Sequence, residues 1–140
     1  MIQQITNQLY VCGANYTSYE LKSRGITRVI NVGGKFNKRA DVHIHLNDGP
    51  NKVQSYADVM RFMESWYDKK YKILVHCRQG ISRSPFILAV FISEKSCISL
   101  DDAISMITLK NPRTDINIEM LQNFVSENMQ NTIFQKHDRY

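Results

Sequence analysis

A cysteine and an arginine with five residues between them form a pair in this sequence that can do chemistry. Cys77 and Arg83 lie within the segment HCRQGISRSP, which runs from His76 to Pro85. The thiolate form of cysteine is a strong nucleophile, and the planar guanidinium group of arginine can bind two oxygens of a phosphate at once. The pair is therefore suited to attack on a phosphate ester.

The elements predicted on either side place this pair in a loop that can bind an anion. Residues 72–76 form a short apolar run rich in β-formers, which predicts a buried strand. The longer apolar run 84–95 has Pro85 near its start and predicts a buried helix. A loop that enters a helix N-terminus presents converging N–H groups and positive potential, and Gly80 allows the backbone to turn those groups inward. Because these groups favour an anion, we expect Cys77 to be mostly thiolate.

The segment HCRQGISRSP resembles the signature loop of the Cys-dependent protein tyrosine phosphatase superfamily. Its ending Ser-Arg-Ser-Pro is most similar to the dual-specificity protein phosphatases of the compact single-domain type. The resemblance extends from about Leu9 to Phe124 and is strongest over 71–92. It implies that Cys77 attacks phosphorus and forms a phosphocysteine intermediate, while Arg83 and the loop amides hold the phosphate oxygens. No metal or other cofactor is implied, because the loop itself supplies the positive charge. The phosphate-binding residues implied in this way are Arg78, Gln79, Gly80, Ile81, Ser82 and Arg83.

The implied reaction also needs a group that gives a proton to the leaving oxygen. Asp48 lies in the turn-forming cluster Asn-Asp-Gly-Pro after a predicted strand, 29 residues before Cys77. The resembling family carries its general acid, an aspartate often preceded by asparagine, in a loop of this kind. The resemblance therefore implies that Asp48 is the general acid and then the general base, with a simple turn as its alternative role. Asp41 and Asp58 are weaker candidates, because Asp41 lies at the wrong end of its strand and Asp58 within a predicted helix.

Further roles near the loop come from the same resemblance. Ser84 has the position of the hydroxyl that assists departure of the cysteine thiolate in the second step, and its alternative role is a helix N-cap. His76 has the position of the histidine that orders the loop through hydrogen bonds, a structural role. His43 and His45 alternate on one predicted strand without cysteine or carboxylate partners at ligand spacing, so we assign no metal to them.

The composition fits one globular domain in a reducing compartment. The 140 residues are 43% hydrophobic, which predicts a single domain over 1–140 with one core. The three cysteines show no paired spacing and no signal peptide is seen, so we expect a cytoplasmic or nuclear setting. The longest apolar run, 86–92, is too short to span a membrane. The formal net charge of +5 favours anionic partners.

The order of elements predicts the fold class. Strands alternate with helices through the first two thirds of the chain, which predicts an α/β fold with a central, mostly parallel sheet of about four to five strands flanked by helices. This is also the protein tyrosine phosphatase-like fold that the resemblance implies. Residues 1–7 read as a polar lead-in and 130–140 as a flexible tail. The strands are predicted over 8–12, 28–32, 42–46 and 72–76, and the helices over 18–24, capped by Ser18, 53–67 and 84–95, with two more after the N-caps Ser99 and Asn117.

The favoured function is that of a protein phosphatase acting on phosphotyrosine and on phosphoserine or phosphothreonine, with a phosphorylated protein as its partner. Removal of a 5′ phosphate from RNA is a second interpretation; the net charge permits it, but no clear basic-aromatic pattern favours nucleic acid. A non-catalytic module that binds phosphoproteins is a third. The presence of Cys77, Arg83 and Asp48 together speaks against that third interpretation. No membrane partner is predicted, and the sequence does not define an oligomeric state.

Overall fold

The computed structural model describes the backbone of residues 1–138 and the side chains of residues 1–128. In chain order the elements are β1 (Gln3–Gln4), β2 (Leu9–Cys12), α1 (Ser18–Ser23), β3 (Arg28–Asn31), β4 (Val42–His43), α2 (Val53–Asp68), β5 (Ile73–His76), α3 (Arg83–Ser96), α4 (Leu100–Lys110) and α5 (Ile118–Asp138). The five strands form one sheet in the order β1-β2-β5-β3-β4. β1 is antiparallel to β2, and the other neighbours are parallel. This architecture confirms the predicted fold class.

Strand β5 and helix α3 form the centre of the fold and carry the Cys77 loop between them. β5 pairs in parallel with β2 on one side and β3 on the other, and all of its residues are buried. α3 is buried continuously from Ser84 to Ile92 because the sheet, α2 and α4 all pack against it, as an apolar helix requires. The loop therefore leaves the carboxyl end of a central strand, the edge at which open parallel sheets bind ligands.

The two faces of the sheet are covered unequally. One face packs against α2, α3, α4 and α5 through a large core that includes Val75, Phe86 and Cys77. The other face is covered by α1 through the partly buried Leu21 and forms a smaller core that includes Cys12. Because successive strand residues point to opposite faces, the thiols of Cys12 and Cys77 lie in cores on opposite sides of the sheet.

Two segments differ from their predicted structure. The expected lead-in over 1–7 contains the edge strand β1, because Ile2 and Ile5 are both buried and pack into the smaller and the larger core respectively. The third strand, predicted over 42–46, ends at His43, since its partner β3 ends at Asn31 and offers no further ladder positions. Single hydrogen bonds continue beyond it, such as the one from the Leu46 N–H to the carbonyl of Val32 at 3.0 Å.

The helix caps follow the sequence at Ser99 and Asn117 and differ from it in α1 and α3. Helix α3 begins at Arg83 with Ser82 at the N-cap position, so Ser84 lies inside the first turn and is not the cap. Ser99 caps α4 and accepts a hydrogen bond from the N–H of Asp102, and Asn117 caps α5 by accepting from the N–H of Met120. In α1 the cap is Thr17 rather than Ser18. The reason is a capping box, in which Thr17 and Glu20 each accept a hydrogen bond from the backbone of the other.

Helix α5 extends over most of the predicted flexible tail. Its backbone is helical to Asp138. The side chains from residue 129 onwards and all of residues 139–140 lie outside the described part of the chain. The flexibility predicted for residues 130–140 therefore stays a prediction. Within residues 1–138, no helix has both the length and the apolar content needed to cross a bilayer.

Candidate active site

Hydrogen bonds to carbonyl oxygens hold the backbone of the Cys77 loop from the outside. With the carbonyls turned towards these outer donors, the loop N–H groups are free to point towards a common centre, the arrangement that binds anions. Two of the donors, Asn111 and Asp115, follow helix α4. The bonds run from the Ala14 N–H to Arg78 (3.0 Å), from the Asn111 side chain to Gly80 (3.0 Å) and from the Asp115 N–H to Ile81 (2.8 Å).

Gly80 is the residue that lets the loop pack this tightly. Its φ of +72° lies in the left-handed region, which residues with a side chain rarely adopt. A Cβ at this position would also lie 2.6 Å from the backbone carbon of Cys12. The loop therefore rests directly on the end of strand β2, and only glycine allows that approach.

Cys77 is surrounded by donors that favour its thiolate. Burial raises the pKa of the Cys77 thiol, but hydrogen bonds from the Ser84 hydroxyl and from the N–H groups of Ser84, Gly80 and Gln79 outweigh that effect and bring the pKa below its usual value. The Ser84 Oγ lies 3.1 Å and the Gly80 nitrogen 3.3 Å from Cys77 Sγ. The Ser84 hydroxyl therefore contacts the Cys77 sulfur in the substrate-free site, and its part in the departure step stays a prediction from the family resemblance.

Ser84→Ala is expected to raise the pKa of the Cys77 thiol and to lower kcat by about 10- to 100-fold, because a hydrogen bond to a charged group contributes about 1.5–3 kcal/mol. The pH dependence of alkylation by iodoacetamide measures the first effect: its midpoint should move to higher pH. Ser93→Ala is the matched control, since that hydroxyl donates to the Ile98 carbonyl at the far end of α3. An unchanged alkylation profile for Ser84→Ala would remove the serine from the activation of the thiol.

The loop opens into a cleft of about 650 Å³ that contains the predicted nucleophile, arginine and acid together. Arg83 is held at its rim by a hydrogen bond of 3.1 Å from Nη1 to the carbonyl of Leu46. Leu46 leads directly into the turn of Asp48, so the arginine and the acid are linked through one short segment. The residues that line the cleft are Asp48, Cys77, Arg78, Gln79, Ile81, Ser82, Arg83, Asp115, Ile116, Asn117 and Ile118.

Of the three carboxylates weighed from the sequence, only Asp48 lies at the cleft. Its Oδ1 accepts a hydrogen bond of 2.6 Å from the Ser82 hydroxyl of the loop. Asp41 is committed elsewhere, because its Oδ2 accepts from the N–H of Val29. Asp58 pairs with Arg61 on the surface of α2.

The structure adds one carboxylate that sequence reasoning missed. Asp115 lines the same cleft as Asp48, and no local sequence motif indicates that it lies there. It comes close only because its backbone N–H binds the carbonyl of Ile81. Asp115 is therefore the natural comparison for any test of the general acid.

His76 supports the loop and is poorly placed to transfer a proton. Burial lowers the pKa of His76, which favours the neutral ring. Its Nδ1 lies 3.2 Å from the carbonyl of Cys77, and because a carbonyl only accepts, Nδ1 carries the proton. The Nε2 atom has no hydrogen-bond partner among the described residues, and the ring of Tyr16 packs edge-on at 4.9 Å.

His43 and His45 each lie within hydrogen-bond distance of an asparagine oxygen. His43 Nε2 lies 2.9 Å from the carbonyl of Asn37, and His45 Nε2 lies 3.1 Å from the side-chain oxygen of Asn47. Over the part of the chain that the structure describes, His, Cys, Asp and Glu side chains form no group of three that could hold a metal ion.

The fold and this site together define a class of protein. A mostly parallel α/β sheet whose central strand leads into a His-Cys loop closed by an arginine is the architecture of the Cys-dependent phosphatase superfamily. The family model described as "Dual specificity phosphatase, catalytic domain" matches residues 9–131. The chain belongs to that family.

Curated relatives agree with this assignment. The chain is 30% identical over 104 residues to Protein-tyrosine-phosphatase IBR5 of Arabidopsis thaliana, covering 73% of this chain and 40% of that protein. It is 28% identical over 131 residues to human Dual specificity protein phosphatase 7, covering 84% of this chain and 31% of the relative. The chain thus spans less than half the length of either relative.

Solved structures show the same fold at nearly full length. Human DUSP28 superposes with a TM-score of 0.80 at 18% identity, covering 92% of this chain and 95% of that one. The human tyrosine phosphatase-like serine/threonine/tyrosine-interacting protein superposes with a TM-score of 0.78 at 18% identity, covering 94% and 97%. At such low identity the likeness establishes the fold alone.

Proposed function

We propose that this chain is a Cys-dependent protein phosphatase that hydrolyses phosphotyrosine and phosphoserine or phosphothreonine. The observation that carries the proposal is the position of the Cys77 thiol, which lies under converging N–H groups in the same cleft as Arg83 and Asp48. That combination supplies a nucleophile, a binding site for the phosphate oxygens and a proton donor.

The first step follows from this arrangement. The Cys77 thiolate attacks phosphorus in line, an S–P bond forms and the P–O bond to the substrate breaks. Asp48 gives its proton to the leaving oxygen. Arg83 and the loop N–H groups bind the three equatorial oxygens, where the charge of the transition state is spread.

The second step returns the enzyme to its starting state. Water attacks phosphorus, Asp48 accepts a proton from that water, and the S–P bond breaks with release of phosphate. The departing thiolate of Cys77 is stabilised by the Ser84 hydroxyl at 3.1 Å. Because the reaction needs a reduced Cys77, it suits a cytoplasmic or nuclear compartment.

The residues at the rim of the cleft favour as substrate a protein segment in which acidic residues flank the phosphorylated residue. A second opening of about 360 Å³ continues from Cys77 and Arg83 to Lys35 and Phe36. Phe36 is 80% exposed and stacks on the ring of His43 at 4.7 Å. An exposed aromatic ring beside a lysine suits a phosphoaryl group followed by acidic side chains.

The proposal predicts turnover of an aryl phosphate in the presence of EDTA, followed by turnover of phosphotyrosine and phosphothreonine peptides with acidic flanking residues. A triphosphorylated RNA is included in the same panel, because stacking on Phe36 would serve a base as well. A higher kcat/KM on the RNA than on the phosphopeptides would mean that RNA, not protein, is the substrate. Binding of phosphopeptide without turnover of any substrate would mean that the chain is a phosphate-binding module and not an enzyme.

A further inference from the structure

Ser82 links the candidate acid to the start of helix α5. Ser82 is 8% exposed, and its hydroxyl lies between two partners. The N–H of Asn117 donates to Ser82 Oγ at 2.9 Å, and Ser82 Oγ donates to Asp48 Oδ1 at 2.6 Å. Because the backbone N–H can only donate, the hydroxyl proton of Ser82 is left to point at Asp48.

This bond distinguishes the two oxygens of Asp48. Oδ1 is occupied as an acceptor of the Ser82 hydroxyl. Under the proposed function, the transferable proton of Asp48 would then lie on Oδ2. The serine holds the position of the carboxyl group through Oδ1.

A second set of bonds braces the backbone around Asp48. The Asn51 side chain accepts from the Asn47 N–H at 2.7 Å and donates to the carbonyls of Asn47 and Gly49, both at 3.0 Å. One asparagine thereby closes the turn on both sides of the acid. Such a turn has few ways to move without breaking several bonds.

The brace is itself anchored to helix α5. Asn123 Oδ1 accepts from the Asn51 N–H at 2.9 Å and from the Tyr56 hydroxyl at 3.2 Å. Helix α5 therefore contacts the acid turn at two points, through Asn117 by way of Ser82 and through Asn123 by way of Asn51.

We propose that Ser82 and Asn123 are positioning residues for the general acid, and that helix α5 holds Asp48 in its working geometry before substrate binds. The inference rests on the proposed function. It goes beyond it by giving α5 a part in the chemistry, although no side chain of that helix reacts. In the first step, formation of the phosphocysteine, a well-oriented donor is needed only by substrates whose leaving group must be protonated.

Substrates with graded leaving groups test the proposal. The leaving group of phenyl phosphate is a basic phenoxide, which needs a proton from the acid. The leaving group of 2,4-dinitrophenyl phosphate is a stable anion, which does not. Ser82→Ala is expected to lower kcat/KM, which reports formation of the phosphocysteine only, by about tenfold on phenyl phosphate and to change it little on the dinitrophenyl ester, because the loop N–H groups remain. Asn123→Ala should act in the same direction to a smaller extent, and Asn123→Asp, which keeps an acceptor oxygen, should restore most of the loss.

The controls separate positioning from a general structural role. Ser93→Ala removes a partly buried hydroxyl of α3 that donates to the carbonyl of Ile98, and it should leave the rates on both substrates unchanged. In the Asp48→Asn background, Ser82→Ala should add little on phenyl phosphate, since residues that act as a unit are not additive. If Ser82→Ala shows no cooperative thermal unfolding transition and is therefore not folded, Asn123→Ala provides the same test through the second contact of helix α5 with the acid turn.

Equal losses of kcat/KM on both substrates would overturn the proposal, because they would mean that the variants disturb the phosphate loop rather than the acid. Additive losses in the Asp48→Asn background would overturn it as well. Failure of the proposed function would give a different result. The wild-type protein would then turn over neither ester, and the positioning role would fall together with the proposed function.

Discussion

Cys77→Ser is expected to lower turnover of an aryl phosphate by about 10⁵-fold or more, to the level of the background. The donors around Cys77 lower the pKa of a thiol, but a serine hydroxyl stays protonated under the same donors and is a far weaker nucleophile. Phosphopeptide binding should remain, because Arg83 and the loop N–H groups are unchanged. Steady-state kinetics and a binding titration on the same preparation measure both results.

Cys97→Ser is the matched control for the loss of a thiol. Helix α3 spans 14 residues between the two cysteines, which is about 21 Å at 1.5 Å per residue. The exposed Cys97 therefore cannot reach the cleft, and its replacement should leave kcat unchanged. A Cys77→Ser enzyme that keeps activity within about tenfold of wild type would show that another group is the nucleophile.

Asp48→Asn is expected to lower kcat on phenyl phosphate by about 10²–10⁴, the usual contribution of a general acid. Asparagine keeps the Oδ1 atom that accepts from Ser82, so the turn retains its geometry and only the transferable proton is lost. Values of kcat/KM, which report formation of the phosphocysteine, should fall on phenyl phosphate but change little on 2,4-dinitrophenyl phosphate, whose leaving group needs no proton. Steady-state kinetics of both enzymes on the two esters measure the difference.

Asp115→Asn decides between the two carboxylates of the cleft. Asp115 lines the same opening but is held through its backbone, so its side chain should matter only for substrate binding. Its replacement should change KM at most and leave kcat on phenyl phosphate close to that of wild type. If Asp115→Asn instead caused the selective loss on phenyl phosphate while Asp48→Asn did not, the role of the acid would belong to Asp115, and Asp48 would be a turn residue.

The parts of the site that sequence reasoning located are those with a local pattern. The strand, loop and helix around Cys77 are marked by two apolar runs, a glycine and a proline within 24 residues, from Lys72 to Lys95. Their order along the chain fixes the position of the loop at the end of a strand. The cap of α5 at Asn117 was predictable for the same reason, because a capping residue bonds to the turn that follows it.

The parts that sequence reasoning missed depend on contacts between distant segments. Asn111 binds the carbonyl of Gly80, 31 residues away, and Asn123 accepts from the N–H of Asn51, 72 residues away. An asparagine at either position has many local uses, so residue type alone does not indicate its partner. The strand β1 was missed because two buried isoleucines separated by glutamines form too short a pattern to distinguish from a polar lead-in.

The central claim, that Cys77 carries the phosphoryl group, is tested most directly by trapping the intermediate. Enzyme is mixed with a ³²P-labelled phosphopeptide, quenched during the first turnover and digested, and the label is located by mass spectrometry. The account predicts phosphate on the sulfur of Cys77, in larger amount in Ser84→Ala, where departure of the thiolate is slowed, and none in Cys77→Ser. Turnover at the wild-type rate with label on another residue, or with no labelled enzyme at any quench time, would contradict it.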